Sequence, residues 1–227
     1  MSRFASSLLA AEPPADCGLC PRLVAVRATL RHEQPGWWNA PVPAWGDPDA
    51  AVAIVGLAPG RHGANRTGRP FIGDAAGALL FRTLLAHGLA AGTYGGEVED
   101  DLRLNDTVIL NAVRCLPPGN APTSAEIRAC RPFLDGPLTA LSRLRVVVAL
   151  GRVAHDATVR AFGGRPGSKP FGHGREYPLP NGATLLDSYH CSRYNQNTGR
   201  LTDAMLAAVV GRACAIRDAE PQAAVGR

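Results

Sequence analysis

Cys17 and Cys20 stand close together near the start of the chain, and Cys115 and Cys130 form a second, wider pair. Two local pairs brought together by a fold make a site of four thiolates. Zn²⁺ and a [4Fe–4S] cluster both accept such a site, and the spacing does not choose between them. The plain alternative is free cysteine acting as a small buried hydrophobe. Cys191 and Cys214 read as structural. A second concentration of chemistry is Tyr189-His190-Cys191-Ser192-Arg193-Tyr194-Asn195-Gln196-Asn197. There His190 can donate to a developing anion, Arg193 can hold a phosphate, and Tyr194 can stack or wedge. A helix-entry loop with a surface histidine is the bland reading of the same residues. Asn111 ends an apolar run, where its amide can read a base edge or satisfy neighbouring backbone.

These residues need a frame. Gly56 to Gly77, GLAPGRHGANRTGRPFIGDAAG, follows the apolar run 51–55 and precedes a helical pattern from Ala75. A Gly-rich loop between a buried strand and a helix brings backbone N–H groups close to a ligand, at the end of a sheet where open α/β folds bind. The Gly63-to-Gly68 skeleton is not a P-loop. Arg69 replaces the lysine, and Pro70 replaces the metal-binding hydroxyl and supplies no N–H. Further strands are expected at 107–113, 144–150 and 184–188, and helices at 21–31, 75–90, from Thr123 onward, 151–162 and 198–218. The segment 92–101 reads as a polar connection, and 163–182, rich in Gly and Pro, as a hairpin or flexible loop. Strands alternate with helices, and three strands are apolar throughout. The expected class is α/β, with a parallel sheet covered on both faces.

The 227 residues suit a single domain spanning 1–227, with a loose tail at about 219–227. No run approaches the ~18 apolar residues of a membrane helix. The first eleven residues only faintly resemble a signal peptide, so the expected location is cytoplasmic, where disulfides are disfavoured. A net charge of +5 and a pI near 9.1 favour an anionic partner. Lys169 is the only lysine; the other basic side chains are arginine, suited to bidentate phosphate contact. A GC-rich genome would produce the same arginine bias.

GLAPGRHGANRTGRPFIGD, Asn111-Ala-Val-Arg-Cys115-Leu-Pro-Pro and HCSRYNQNTGRLT, in this order with the four cysteines, resemble the type 5, or B-type, uracil-DNA glycosylases. The resemblance runs from Cys17 to about Thr202. It implies a three-layer α/β/α fold with a central four-stranded, mostly parallel sheet. It also implies a [4Fe–4S] cluster on Cys17, Cys20, Cys115 and Cys130. By position it assigns stacking on a flipped base to Phe71, base recognition to Asn111, and stabilisation of the departing base to His190. Asp74 takes the sugar side, as water activator or oxocarbenium stabiliser; its plain alternative is an N-cap for the helix beginning at Ala75. Leu57 and Ala58 stand where other members carry a polar or acidic residue, which is the B-type pattern. Together with Gly56 they would line a roomy base pocket, open to hypoxanthine and other deaminated bases. Ser192, Arg193 and Tyr194 would contact DNA, with Tyr194 as the wedge. Cys191 replaces a proline. With no lysine in either motif, a Schiff-base lyase step is not expected. The implied activity is that of a monofunctional, monomeric glycosylase acting on uracil-containing DNA. Two competitors remain at this point: a covalently trapping relative, although the chain lacks an Arg-rich insertion between Gly60 and Phe71, and a zinc-stabilised nucleotide-binding protein.

Overall fold

A computed structural model describes residues 12–219. The chain runs α1 (Pro21–Glu33), β1 (Trp45–Gly46), β2 (Val52–Gly56), α2 (Ala64–Thr67), α3 (Ala75–Ala86), β3 (Ala90–Ala91), β4 (Arg103–Leu104), β5 (Thr107–Asn111), α4 (Ser124–Cys130) and α5 (Pro132–Ala140). It continues through β6 (Val146–Leu150), α6 (Arg152–Ala161), β7 (Glu176–Pro178), β8 (Thr184–Ser188), α7 (Arg193–Asn197) and α8 (Asp203–Asp218).

The main sheet has the order β1-β5-β2-β6-β8-β7. Its inner strands β5, β2, β6 and β8 are parallel, and β1 and β7 pair antiparallel at the edges. The expected four parallel strands are present, but the sheet has six. Both extra strands are very short and lie in stretches whose local sequence signals a turn. The region 163–182 resolves its two readings in favour of a hairpin, with β7 folding back on β8.

Alternation along the inner strands builds two cores. Val52 and Ile54 share one apolar cluster with Leu79, Leu80 and Phe81 of α3 and with Leu206 and Val209 of α8. Ala53 and Val55 point the other way, into a cluster with Leu134 and Leu138 of α5 and Ala154 and Ala157 of α6. The result is three layers, with helices on both faces. A third, smaller cluster joins Leu23 of α1 to Val113 and Cys130, with Cys20 and Cys115 packed against it.

Local capping fixes where the helices begin. Thr123 and Glu126 form a reciprocal capping box at α4. The expected helix 198–218 is shorter: Thr202 caps α8 through Met205 N, and Ser192 caps the separate short helix α7. The expected loose tail lies outside the described residues from position 220 onward, as do the first eleven residues.

Candidate active site

After β2 the chain adds β5 on one side of it and then crosses over to place β6 on the other. The carboxyl ends of these strands therefore open onto a switch-point crevice. Gly56 ends β2, Asn111 ends β5, and His190 follows β8. A cavity of about 880 Å³ lies there, lined by residues that include Leu57, Ala58, Phe71, Asp74, Asn111, His190, Ser192 and Arg193. That volume suits a small organic ligand with part of its scaffold.

Asn111 is 3% exposed. Its side-chain amide hydrogen-bonds to none of the described residues and faces the cavity, so the alternative of satisfying neighbouring backbone falls away. Phe71 is buried and adopts a positive φ of 61°. A non-glycine residue is held there only when its surroundings over-determine it. Its ring stacks on the His190 imidazole, with centroids 5.9 Å apart and planes 29° apart. A Cβ on Gly56 would lie 2.5 Å from Asn111 Oδ1 and 2.8 Å from Phe71 Cζ. Gly56 thus lies beneath the cavity and lets the amide and the ring converge. Gly56→Ala is expected to raise KM for whatever substrate enters the cavity by crowding both, with overpacking costing roughly 1–3 kcal/mol of stability. Steady-state kinetics and denaturant unfolding check this.

Asp74 is the N-cap of α3: its Oδ1 accepts the Gly77 N–H at 2.9 Å. The other oxygen faces Gly63, where a Cβ would lie 2.6 Å from Oδ2. The structural alternative for Asp74 therefore holds, and a carboxylate oxygen remains for chemistry. Burial raises the Asp74 pKa, partly offset by backbone N–H donors. Burial also pushes the His190 imidazole down to about 4, which leaves it neutral near pH 7, with an N–H to donate.

Ser192 lines the cavity while capping α7 at Asn195 N. Arg193 reaches the rim. Tyr194 is 72% exposed and stands outside the lining. The sequence reading missed Tyr94. It packs on Phe81 at 5.1 Å and forms a wall of the cavity with Gly95, Gly96 and Glu97. This wall is tied down by Arg66–Glu97 and Arg69–Asp100 ion pairs. The one available signal was an aromatic residue inside a Gly-rich connection.

Cys17, Cys20, Cys115 and Cys130 line a separate small cavity. Burial pushes the Cys115 thiol up to about 11 and Cys130 up to about 12, so alone these groups stay protonated. Arg114 N–H donates to Cys130 Sγ at 3.2 Å, and the Arg27 guanidinium to Cys115 Sγ at 3.7 Å. Both sulfurs are thus accepting, as thiolate ligands do. Among the described residues, no three His, Cys, Asp or Glu side chains are grouped to hold a metal ion. The four thiols that line this one cavity fit a polynuclear cluster by their donor chemistry.

The sequence model of the uracil DNA glycosylase superfamily matches residues 43–212. The chain belongs to this superfamily. Within the uracil-DNA glycosylases it is 48% identical over 199 residues to the type-5 uracil-DNA glycosylase of Thermus thermophilus, covering 86% of this chain and 90% of that one. It is 43% identical to the type-5 uracil-DNA glycosylase of Pyrobaculum aerophilum, covering 88% of each. Similarity to the type-4 uracil-DNA glycosylase of the same archaeon is narrower, 36% over 125 residues and 55% of this chain. The matched span contains every cavity residue named above, whereas Cys17 and Cys20 precede it.

Proposed function

We propose that this chain is a DNA repair glycosylase that removes uracil by hydrolysing the N-glycosidic bond, leaving an abasic site. The observation that carries the reading is the convergence of Phe71, Asp74, Asn111 and His190, from three distant segments, on one cavity. The flipped base stacks on Phe71, which replaces the stacking lost from the duplex. The free Asn111 amide reads its polar edge. As the bond to C1′ lengthens, the base takes up the electron pair and departs as an anion. Neutral His190 stabilises it by donating a hydrogen bond, without transferring a proton. Asp74 offsets the positive charge growing on the sugar and orients the water that attacks C1′. Tyr194 fills the gap in the stack, and Arg193 holds phosphate. Leu57 and Ala58 present no polar group to the base, which extends the range to hypoxanthine and other deaminated bases. The enzyme acts as a cytoplasmic monomer, a single domain over 1–227.

Cys17, Cys20, Cys115 and Cys130 would hold a [4Fe–4S] cluster. When bound, it supplies a structural cross-link. Ala112 N and Val113 N donate to Gly56 O and Leu57 O at 2.9 and 3.0 Å, so the stretch from Asn111 to Cys115 connects the base pocket to the cysteines. Cys115→Ala is expected to lower iron content and activity together; unchanged iron, folding and activity would refute the link.

Base release from labelled oligonucleotides carrying uracil or hypoxanthine tests the proposal. Strand cleavage only after alkali is the expected result, and the ratio of the two substrates measures the openness of the pocket. A folded, iron-loaded sample that forms a denaturation-resistant DNA adduct and releases no base would support a covalent trap.

A further inference from the structure

Arg27, on α1, is 7% exposed. A guanidinium stays charged in a protein, and a buried charge needs a partner of opposite sign. The nearby carboxylates are already engaged by other arginines. Asp16 pairs with Arg31 at 2.6 Å, Glu126 with Arg22 at 2.7 Å, and Glu12 with Arg114 at 3.3 Å. Among the described residues Arg27 forms no ion pair. Its hydrogen bonds go to Cys17 O at 2.8 Å and Cys115 Sγ at 3.7 Å. Both acceptors belong to the four-cysteine centre.

We infer that Arg27 is the fixed counter-ion of that centre. This rests on the iron–sulfur reading above. Four thiolates around an oxidised cluster carry a net charge of about −2, and one-electron reduction makes it more negative. A guanidinium bonded to a ligand sulfur favours each of these charge states over a neutral neighbour, and favours the reduced one more. Arg27 therefore both retains the cluster and raises its reduction potential.

The test compares wild type, Arg27→Gln and Arg27→Lys, purified or reconstituted without oxygen. Dithionite supplies the electron, and electron paramagnetic resonance follows the reduced cluster. The expected midpoint potential is more negative in Arg27→Gln and returns most of the way in Arg27→Lys. Release of iron to a chelator is expected to be faster in Arg27→Gln than in Arg27→Lys. Iron-loaded variants with the wild-type potential, or equal release rates for Gln and Lys, would overturn the assignment while leaving the cluster reading intact. An anaerobic wild-type preparation without iron would overturn both.

Discussion

Asp74→Asn is expected to slow uracil release by roughly 10²–10⁴-fold while the protein stays folded. The substitution keeps the shape of the side chain and an acceptor oxygen. Asparagine is as good an N-cap as aspartate, so the bond to Gly77 N survives. What disappears is the negative charge that the proposed mechanism places beside the sugar. Asp74→Ala removes charge and cap together, and should add a stability loss of about 1 kcal/mol. If the cap were the whole role of Asp74, the Asn variant would keep full activity. The pH profile gives a second check. In the proposed mechanism only the carboxylate form serves the reaction, and burial places its titration above that of an ordinary aspartate. Wild-type kcat/KM should therefore fall as pH drops through that raised value, and the Asn variant should lose this limb.

His190→Ala is expected to lower kcat by roughly 10²–10³-fold, the usual effect of deleting one donor aimed at a developing anion. The same variant should change how stability depends on pH. The imidazole titrates near 6.5 when unfolded and at about 4 in the fold, because burial disfavours its charged form. Between these values the unfolded chain binds the extra proton. Stability is thus complete above the unfolded value and is lost as pH falls from about 6.5 toward 4, by roughly 3 kcal/mol for this group. Denaturant titrations at pH 7 and pH 4 should show a smaller difference in His190→Ala than in wild type. An unchanged difference would mean that the ring is solvated in the native state.

The parallel strands were legible because Val52 to Val55, Val108 to Leu110 and Val146 to Val148 are β-branched or apolar runs, buried on both faces. Thr123, Ser192 and Thr202 cap helices through side chains whose preference is local, although the break between α7 and α8 escaped the sequence reading. β1 was not legible and β7 only as one of two readings of 163–182, since two or three residues carry no period and exist as strands only through the partners that β5 and β8 provide. At the site, residue type identified Asn111 and His190 as candidates, and family resemblance added Asp74 and Phe71. The positive φ of Phe71 and the position of Tyr94 depend on contacts between distant segments. Tyr94 in particular is placed by ion pairs spanning 66–97 and 69–100, which no window of sequence displays.

The two short edge strands carry one more consequence. An exposed sheet edge invites another chain to extend it, and natural edges are blunted by brevity, glycine kinks and proline. Here β1 stops after two residues at Gly46, whose φ is 129°, and β7 stops after three at Pro178. Little free ladder remains at either margin for self-templated growth. Among the described residues, the main sheet is thereby blunted against edge-to-edge pairing at both margins.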